Sequence, residues 1–96
     1  MSEYKYQFTN NFEKKSSKLF KKNNTLRKRF FKTLFQILED PFYKGLRTHK
    51  VNTPKWGEVY SSRITSDLRV LWDFVGNDLI ILVIDIGGHE GSKSVY

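Results

Sequence analysis

The sequence predicts an α+β domain in which two N-terminal antiparallel helices pack on one face of a mainly antiparallel four-stranded sheet. Three observations lead there. Apolar residues recur at helical spacing in two consecutive stretches between Asn10 and Glu39. Apolar and polar residues alternate with period two in Tyr4–Phe8 and again between Glu58 and Val75. The run from Leu79 to Ile86 is almost wholly apolar, as in a strand covered on both sides. The expected order is strand, helix, helix, strand, strand, strand, and 96 residues make a single domain spanning 1–96.

Each element has its own warrant. Tyr4, Tyr6 and Phe8 alternate with Lys5 and Gln7, which gives a short strand with one apolar face. Asn10 followed by Glu13 reads as a capping-box start for the first helix. Phe12, Ser16, Leu19 and Phe20 share one face of it, and five lysines fill much of the rest. Asn23-Asn24 breaks it, and Asn24 or Thr25 is the expected cap of the second helix. There Leu26, Phe30, Leu34, Ile37 and Leu38 form the stripe, with Phe31 and Phe35 widening it. Asp40-Pro41 ends it, because the residue before proline avoids helical backbone. Residues 41–57 carry two prolines and two glycines and read as irregular, with His49-Lys50-Val51 a candidate short strand. In the next strand Tyr60, Ser62 and Ile64 face one way, and Val59, Ser61 and Arg63 the other. After a turn at Ser66-Asp67, Leu68, Val70, Trp72 and Phe74 oppose Arg69, Leu71 and Asp73. Gly76-Asn77-Asp78 turns the chain into the last strand, which Gly87-Gly88 breaks just before His89.

The formal net charge is +7, and it is uneven. Residues 1–50 hold 13 Lys and Arg against 4 Asp and Glu, whereas residues 51–96 hold 4 against 6. A basic field of this kind attracts phosphate backbones or an acidic protein segment, although a solvated lysine-rich helix face is its commoner meaning. There is no cysteine, hence no disulfide frame and no thiolate metal site, in keeping with a reducing cytoplasm. The first residues lack the pattern of a signal peptide, and no apolar run is long enough to span a bilayer, so a soluble cytoplasmic protein without membrane partners is expected. Glycine loops for phosphates, paired metal-binding histidines, carboxylate clusters for magnesium and a serine elbow are all missing, so no metal or other cofactor is expected.

What remains polar in the strand half is Arg63, Asp67, Arg69, His89 and Glu90, with His49 and Lys50 from the preceding loop and Tyr96 at the end. These residue types can cut an RNA phosphodiester without metal. A base takes the proton of the ribose 2′-hydroxyl as it attacks phosphorus, an acid protonates the leaving 5′ oxygen, and cations hold the phosphoryl charge. Histidine suits acid or base work near neutrality, and arginine offers a two-pronged donor to phosphate. Each residue also has a structural role open to it. Arg63 and Arg69 suit strand arginines paired with Asp67, Asp73 or Asp85, Asp67 suits a turn, and either histidine suits an exposed loop.

The order of these residues carries a resemblance. Gly45-Leu46-Arg47-Thr48-His49-Lys50-Val51, then Tyr60 to Val70 with its Arg-Ile-x-x-Asp-x-Arg spacing, then Ile84-Asp85-Ile86-Gly87-Gly88-His89 and a terminal Val95-Tyr96, resembles the RelE/ParE superfamily of bacterial toxins, most closely its RelE/YafQ branch. The resemblance implies the toxin of a type II toxin–antitoxin pair. It would be an endoribonuclease that cleaves mRNA, typically on the ribosome beside rRNA, and that is silenced by a cognate antitoxin whose acidic segment wraps the basic surface. It further implies catalytic roles for His89, His49, Asp67, Arg63 and Arg69, and places Tyr96, Lys50 and Lys93 as substrate contacts. The chain departs from the family in the five residues between His89 and Val95, which lengthen the tail. The alternatives are a ParE-like toxin that inhibits DNA gyrase without cutting RNA, or an inactive binding module of the same fold.

Overall fold

Thr9, one residue before the expected cap, starts the first helix. The computed structural model describes residues 4–76 and 79–88. In it strand β1 (Lys5–Phe8) leads into helix α1 (Asn10–Phe20). The Thr9 hydroxyl oxygen accepts from the Phe12 N–H at 3.0 Å and donates to the Ile84 carbonyl at 2.7 Å. A hydroxyl can do both at once, which Asn10 could not do from its position. The helix start is thereby tied to the last strand as well as capped.

Helix α2 (Asn24–Glu39) is capped by Asn23, again one residue earlier than expected, with the side-chain oxygen accepting from the Leu26 N–H at 3.0 Å. Phe30, Leu34 and Ile37 are buried as the spacing requires. Phe31 packs beside them, but Phe35 is exposed and only meets the Phe31 ring, so the stripe is narrower than expected. Asp40 is extended and Pro41 follows, the expected stop.

The sheet departs from expectation in two respects. After a single 3-10 turn (Lys44–Leu46) come β2 (His49–Thr53), β3 (Gly57–Arg63), β4 (Leu68–Phe74) and β5 (Ile80–Gly88). They form one five-stranded sheet in the order β1-β5-β4-β3-β2, so there are five strands where four were expected. It is also mixed, since β1 runs parallel to β5 while the other pairs are antiparallel. The extra strand is β2. It lies at an edge, its first four residues are not buried, and so it needs no apolar alternation by which a sequence could reveal it.

Side-chain alternation in β3 and β4 is as the sequence predicts. Tyr60, Ile64, Val70 and Trp72 join Phe12, Phe30, Leu34 and Ile37 in the core beneath the helices. Val59 and Leu71 lie on the opposite face with Val51, Trp56, Leu82 and Ile84. In β5 the alternation breaks. Leu71 pairs with Asp85 and Trp72 with Val83, so Ile84 is an extra residue and the strand bulges there. Its displaced carbonyl is the one that Thr9 and Asn11 bond. The bulge returns Ile86 to the helix side and turns Asp85 toward the Leu71 face.

Asp85 is buried there, at 5 % exposure. Lys15 Nζ lies 2.7 Å from one carboxylate oxygen, and the Trp56 indole N–H donates to the other at 3.0 Å. Burial pushes this carboxyl up, but the hydrogen bonds from Lys15, Trp56 and the Ile86 N–H outweigh it and hold it below its ordinary value. A carboxyl depressed by folding contributes stability that is complete above its unfolded value of roughly 4 and is lost as pH falls through the folded one. Asp85→Asn should therefore cost about 1–3 kcal/mol at neutral pH. It should also flatten the acid limb of a stability–pH curve from urea titrations. An unchanged acid limb would remove Asp85 from that account.

Candidate active site

The site is built on the sheet face that the helices leave, at the corner where β2 begins, β3 ends, β4 begins and β5 ends. Arg63 and Arg69 are directly opposite one another across the β3–β4 ladder. Such pairs share a face with Cβ atoms about 4.5–5.5 Å apart. His49 is opposite Ser61, which sits two residues before Arg63 and so on the same side. On β5 the partner of Arg69 is Gly87, which brings no side chain to crowd the guanidinium.

Two like charges held side by side are unfavourable unless something negative joins them. Among the described residues no carboxylate does so. Among the described residues the ion pairs are Lys15–Asp85 and Lys50–Glu58, and neither arginine takes part in one. Pairing of Arg63 or Arg69 with Asp67, Asp73 or Asp85 is thus not observed. Arg69 is instead held by neutral acceptors, at 7 % exposure. Its Nε–H donates to the Ser61 hydroxyl at 2.6 Å, and its Nη2 donates to the Arg47 carbonyl at 2.9 Å and the Ser61 carbonyl at 3.3 Å. The same Nη2 lies 3.4 Å from Nδ1 of His49, and that ring nitrogen is 3.0 Å from the Arg47 carbonyl. The side-on edge of the guanidinium is thus spent on the protein.

Arg47 was not singled out by the sequence, yet its backbone makes this arrangement possible. Its φ is +50°, the left-handed region, which costs a residue with a side chain on the order of 1 kcal/mol or more. The segment before it is fastened to the sheet by a relay. The Trp72 indole N–H donates to Ser62 Oγ at 2.8 Å, Ser62 Oγ meets Thr48 Oγ1 at 2.6 Å, and Thr48 donates to the Pro41 carbonyl at 2.8 Å. Since Thr48 gives its proton to Pro41, Ser62 must be the donor to Thr48. Ser61 and Ser62 were also passed over. Their signal was two adjacent hydroxyls inside a strand, both wholly buried here and both spent on holding side chains of β4.

Asp67 is exposed in the β3–β4 turn at the same corner. Its N–H donates to Thr65 Oγ1 at 3.2 Å, and its carbonyl lies 3.0 Å from where a Cβ on Gly88 would stand. Glycine at 88 is what lets the turn approach the end of β5 so closely. Lys50, although next to His49, alternates to the other side. Its ammonium lies 3.2 Å from Glu58 and over the Tyr60 ring, and the Glu58 hydrogen bond raises it from the ordinary lysine value. The structure thus separates Lys50 from the group it was expected to join. His89, Lys93 and Tyr96, like Asn77-Asp78 of the expected turn, lie outside the described residues.

No family model matches the sequence, and no curated protein matches it. Solved structures do. A YoeB/ParE toxin from Agrobacterium tumefaciens superposes with a TM-score of 0.72 at 15% identity, over 90% of this chain and 99% of that one. This is the RelE/ParE toxin fold. YafQ in the E. coli DinJ–YafQ toxin–antitoxin complex gives 0.59 at 14% identity, over 90% and 92% of the two chains. A double mutant of the E. coli toxin RelE in the free state gives 0.59 at 22% identity, over 96% and 88%. At such identities the RelE/ParE fold is carried by the pattern of strands, helices and buried positions. The roles of individual side chains rest on the local geometry above.

Proposed function

We propose that the chain is the toxin of a type II toxin–antitoxin pair and a metal-independent endoribonuclease that cuts mRNA on the ribosome, in the cytoplasm. The observation that carries the reading is the Arg63–Arg69 pair, which no carboxylate among the described residues neutralises, with the His49 imidazole 3.4 Å from Arg69. That is a cationic cradle with an acid–base group beside it, which is what a phosphodiester cleavage needs and what a simple binding surface does not.

In this reading His49 or Asp67 removes the 2′-hydroxyl proton and the 2′ oxygen bonds to phosphorus. The bond from phosphorus to the 5′ oxygen breaks as His89 protonates it, leaving a 2′,3′-cyclic phosphate and a free 5′-hydroxyl. Arg63 offers its planar fork to the phosphoryl oxygens, and Arg69 adds its remaining Nη1. Lys93 and Tyr96 are assigned to the neighbouring nucleotides. The partner reading draws on the other side of the molecule. An apolar groove between α1 and α2, lined by Phe8, Phe12, Phe20 and Phe31, is flanked by Lys21 and Arg27. It suits the apolar, acidic segment of an antitoxin, and YafQ was solved with DinJ as a toxin–antitoxin complex.

The test is to incubate the purified protein with translating ribosomes, map new mRNA ends, and assay gyrase supercoiling in parallel. New ends with normal supercoiling are expected, and His89→Gln should abolish the ends while circular dichroism stays unchanged. Blocked supercoiling with intact mRNA would replace the nuclease reading by the ParE-like one. No effect in either assay would leave a binding module.

A further inference from the structure

We infer that the ring face of Trp56 that Lys55 now covers is a seat for one unpaired base of the RNA, one row along the sheet from the arginine pair. The inference deepens the nuclease reading and rests on it for the ligand's being RNA. The placement of the seat stands on strand register and on the contacts of Trp56.

His49, Ser61, Leu71 and Asp85 are successive partners across β2, β3, β4 and β5, and Arg63, Arg69 and Gly87 form the next row on the same face. Trp56 bonds to Asp85 and packs on Leu71, Val59 and Ile84, so its indole lies beside the first of these rows. Rows two residues apart along a strand are separated by roughly 7 Å. That step suits the reach from a phosphate held by the arginines to a base of the same strand. The indole is also fixed before any RNA arrives. Its N–H donates to one Asp85 oxygen at 3.0 Å, and Lys15 holds the other at 2.7 Å. The backbone N–H of Trp56 donates to Thr53 Oγ1 at 2.9 Å, and that hydroxyl donates in turn to the Gly57 carbonyl at 3.1 Å, which closes the turn between β2 and β3. A ring held at its edge and at its backbone loses little freedom when a base lies on it.

Over the ring lies the exposed Lys55, its Nζ 5.0 Å from the ring centre. An exposed cation above a ring is a weaker contact than a base stacked on one. The lysine therefore gives way to the base, and its ammonium is released to a phosphate of the same strand. An aromatic ring beside a track of cations is how single strands are held with little regard to sequence, so the seat takes any of the four bases. Trp72, the other tryptophan of the chain, has no such access, because it is wholly buried beneath the helices.

The experiment follows tryptophan emission while the purified protein is titrated with a short 2′-O-methyl RNA strand of mixed sequence, which cannot be cut because it offers no 2′-hydroxyl. Saturable quenching is expected with this strand and none with the same backbone lacking its bases, which separates stacking from charge. In Trp56→Phe the remaining emission comes from Trp72 and should not change. Anisotropy of a labelled strand should show Trp56→Leu binding about 10-fold more weakly, within the range that base–aromatic stacking contributes, and Trp56→Phe losing less. Binding of the wild type without quenching, or equal quenching by the baseless strand, overturns the seat and leaves the arginine cradle standing, even where Trp56→Leu fails to fold. A folded Trp56→Leu with unchanged affinity also overturns it, and makes Trp56 a cover for Leu71 and Val59. Quenching as expected in a protein that cuts no mRNA overturns the nuclease reading while the seat stands.

Discussion

His49→Gln is expected to slow mRNA cleavage by about 10²–10⁴-fold, the usual contribution of a positioned acid or base. Glutamine can keep a hydrogen bond to the Arg47 carbonyl through its amide N–H, but it cannot accept a proton at neutral pH. His49 is exposed and packs in neither apolar cluster, so the substitution should leave thermal unfolding within about 0.5 kcal/mol of the parent, as is usual for surface changes. Single-turnover cleavage on programmed ribosomes, beside calorimetry on the same samples, separates the two quantities. Asp67→Asn is the matched comparison, and with His49 as the base it keeps most of the rate. Full activity in His49→Gln with a collapse in Asp67→Asn would assign the base to the aspartate.

Trp72→Ala is expected to remove about 3–5 kcal/mol of stability, the common cost of truncating a buried large aromatic. Trp72 is at 0 % exposure in a strand with neighbours on both sides. Its ring stacks on Tyr60 at 4.9 Å and meets Phe74 edge-on at 5.2 Å. Its indole N–H also begins the relay through Ser62 and Thr48 to Pro41. A domain of this size has on the order of 5–15 kcal/mol in all, so the loss would leave much of it unfolded at growth temperature. Trp72→Phe separates the contributions. It keeps most of the packing but takes the donor from Ser62, and should cost about 1–3 kcal/mol while loosening residues 41–48. Urea denaturation measures the first effect and amide exchange at Thr48 the second. A loss under about 1 kcal/mol for Trp72→Ala would mean that the core closes over the gap, which measured core truncations rarely allow.

Most of the architecture was legible for a local reason. Phe30, Leu34 and Ile37 are buried because helical spacing puts them on one side, and Val59 and Leu71 part from Tyr60 and Trp72 because strand residues alternate. The misses have equally physical causes. Both caps fell one residue early, at Thr9 and Asn23, and Thr9 was chosen by a bond to Ile84 that lies 75 residues away. The edge strand β2 is polar because it is exposed. The bulge at Ile84 turned Asp85 away from the side that simple alternation gives it.

Patterning along the chain decided by itself that there would be two basic helices over a sheet, with arginines at 63 and 69 on a shared face, whereas Gly87 and Gly88, expected to break the last strand, are paired within it opposite Arg69 and Leu68. Those outcomes depend on side-chain period and on turn chemistry within a few residues. Only the tertiary structure decided that Arg69 would find a carbonyl 22 residues upstream rather than a carboxylate, that Lys50 would turn away from His49, and that a left-handed Arg47 would hold the imidazole. Hydrogen bonds between distant segments depend on register and on where a loop is pinned, and those are settled by the packing of the whole core around residues such as Trp72.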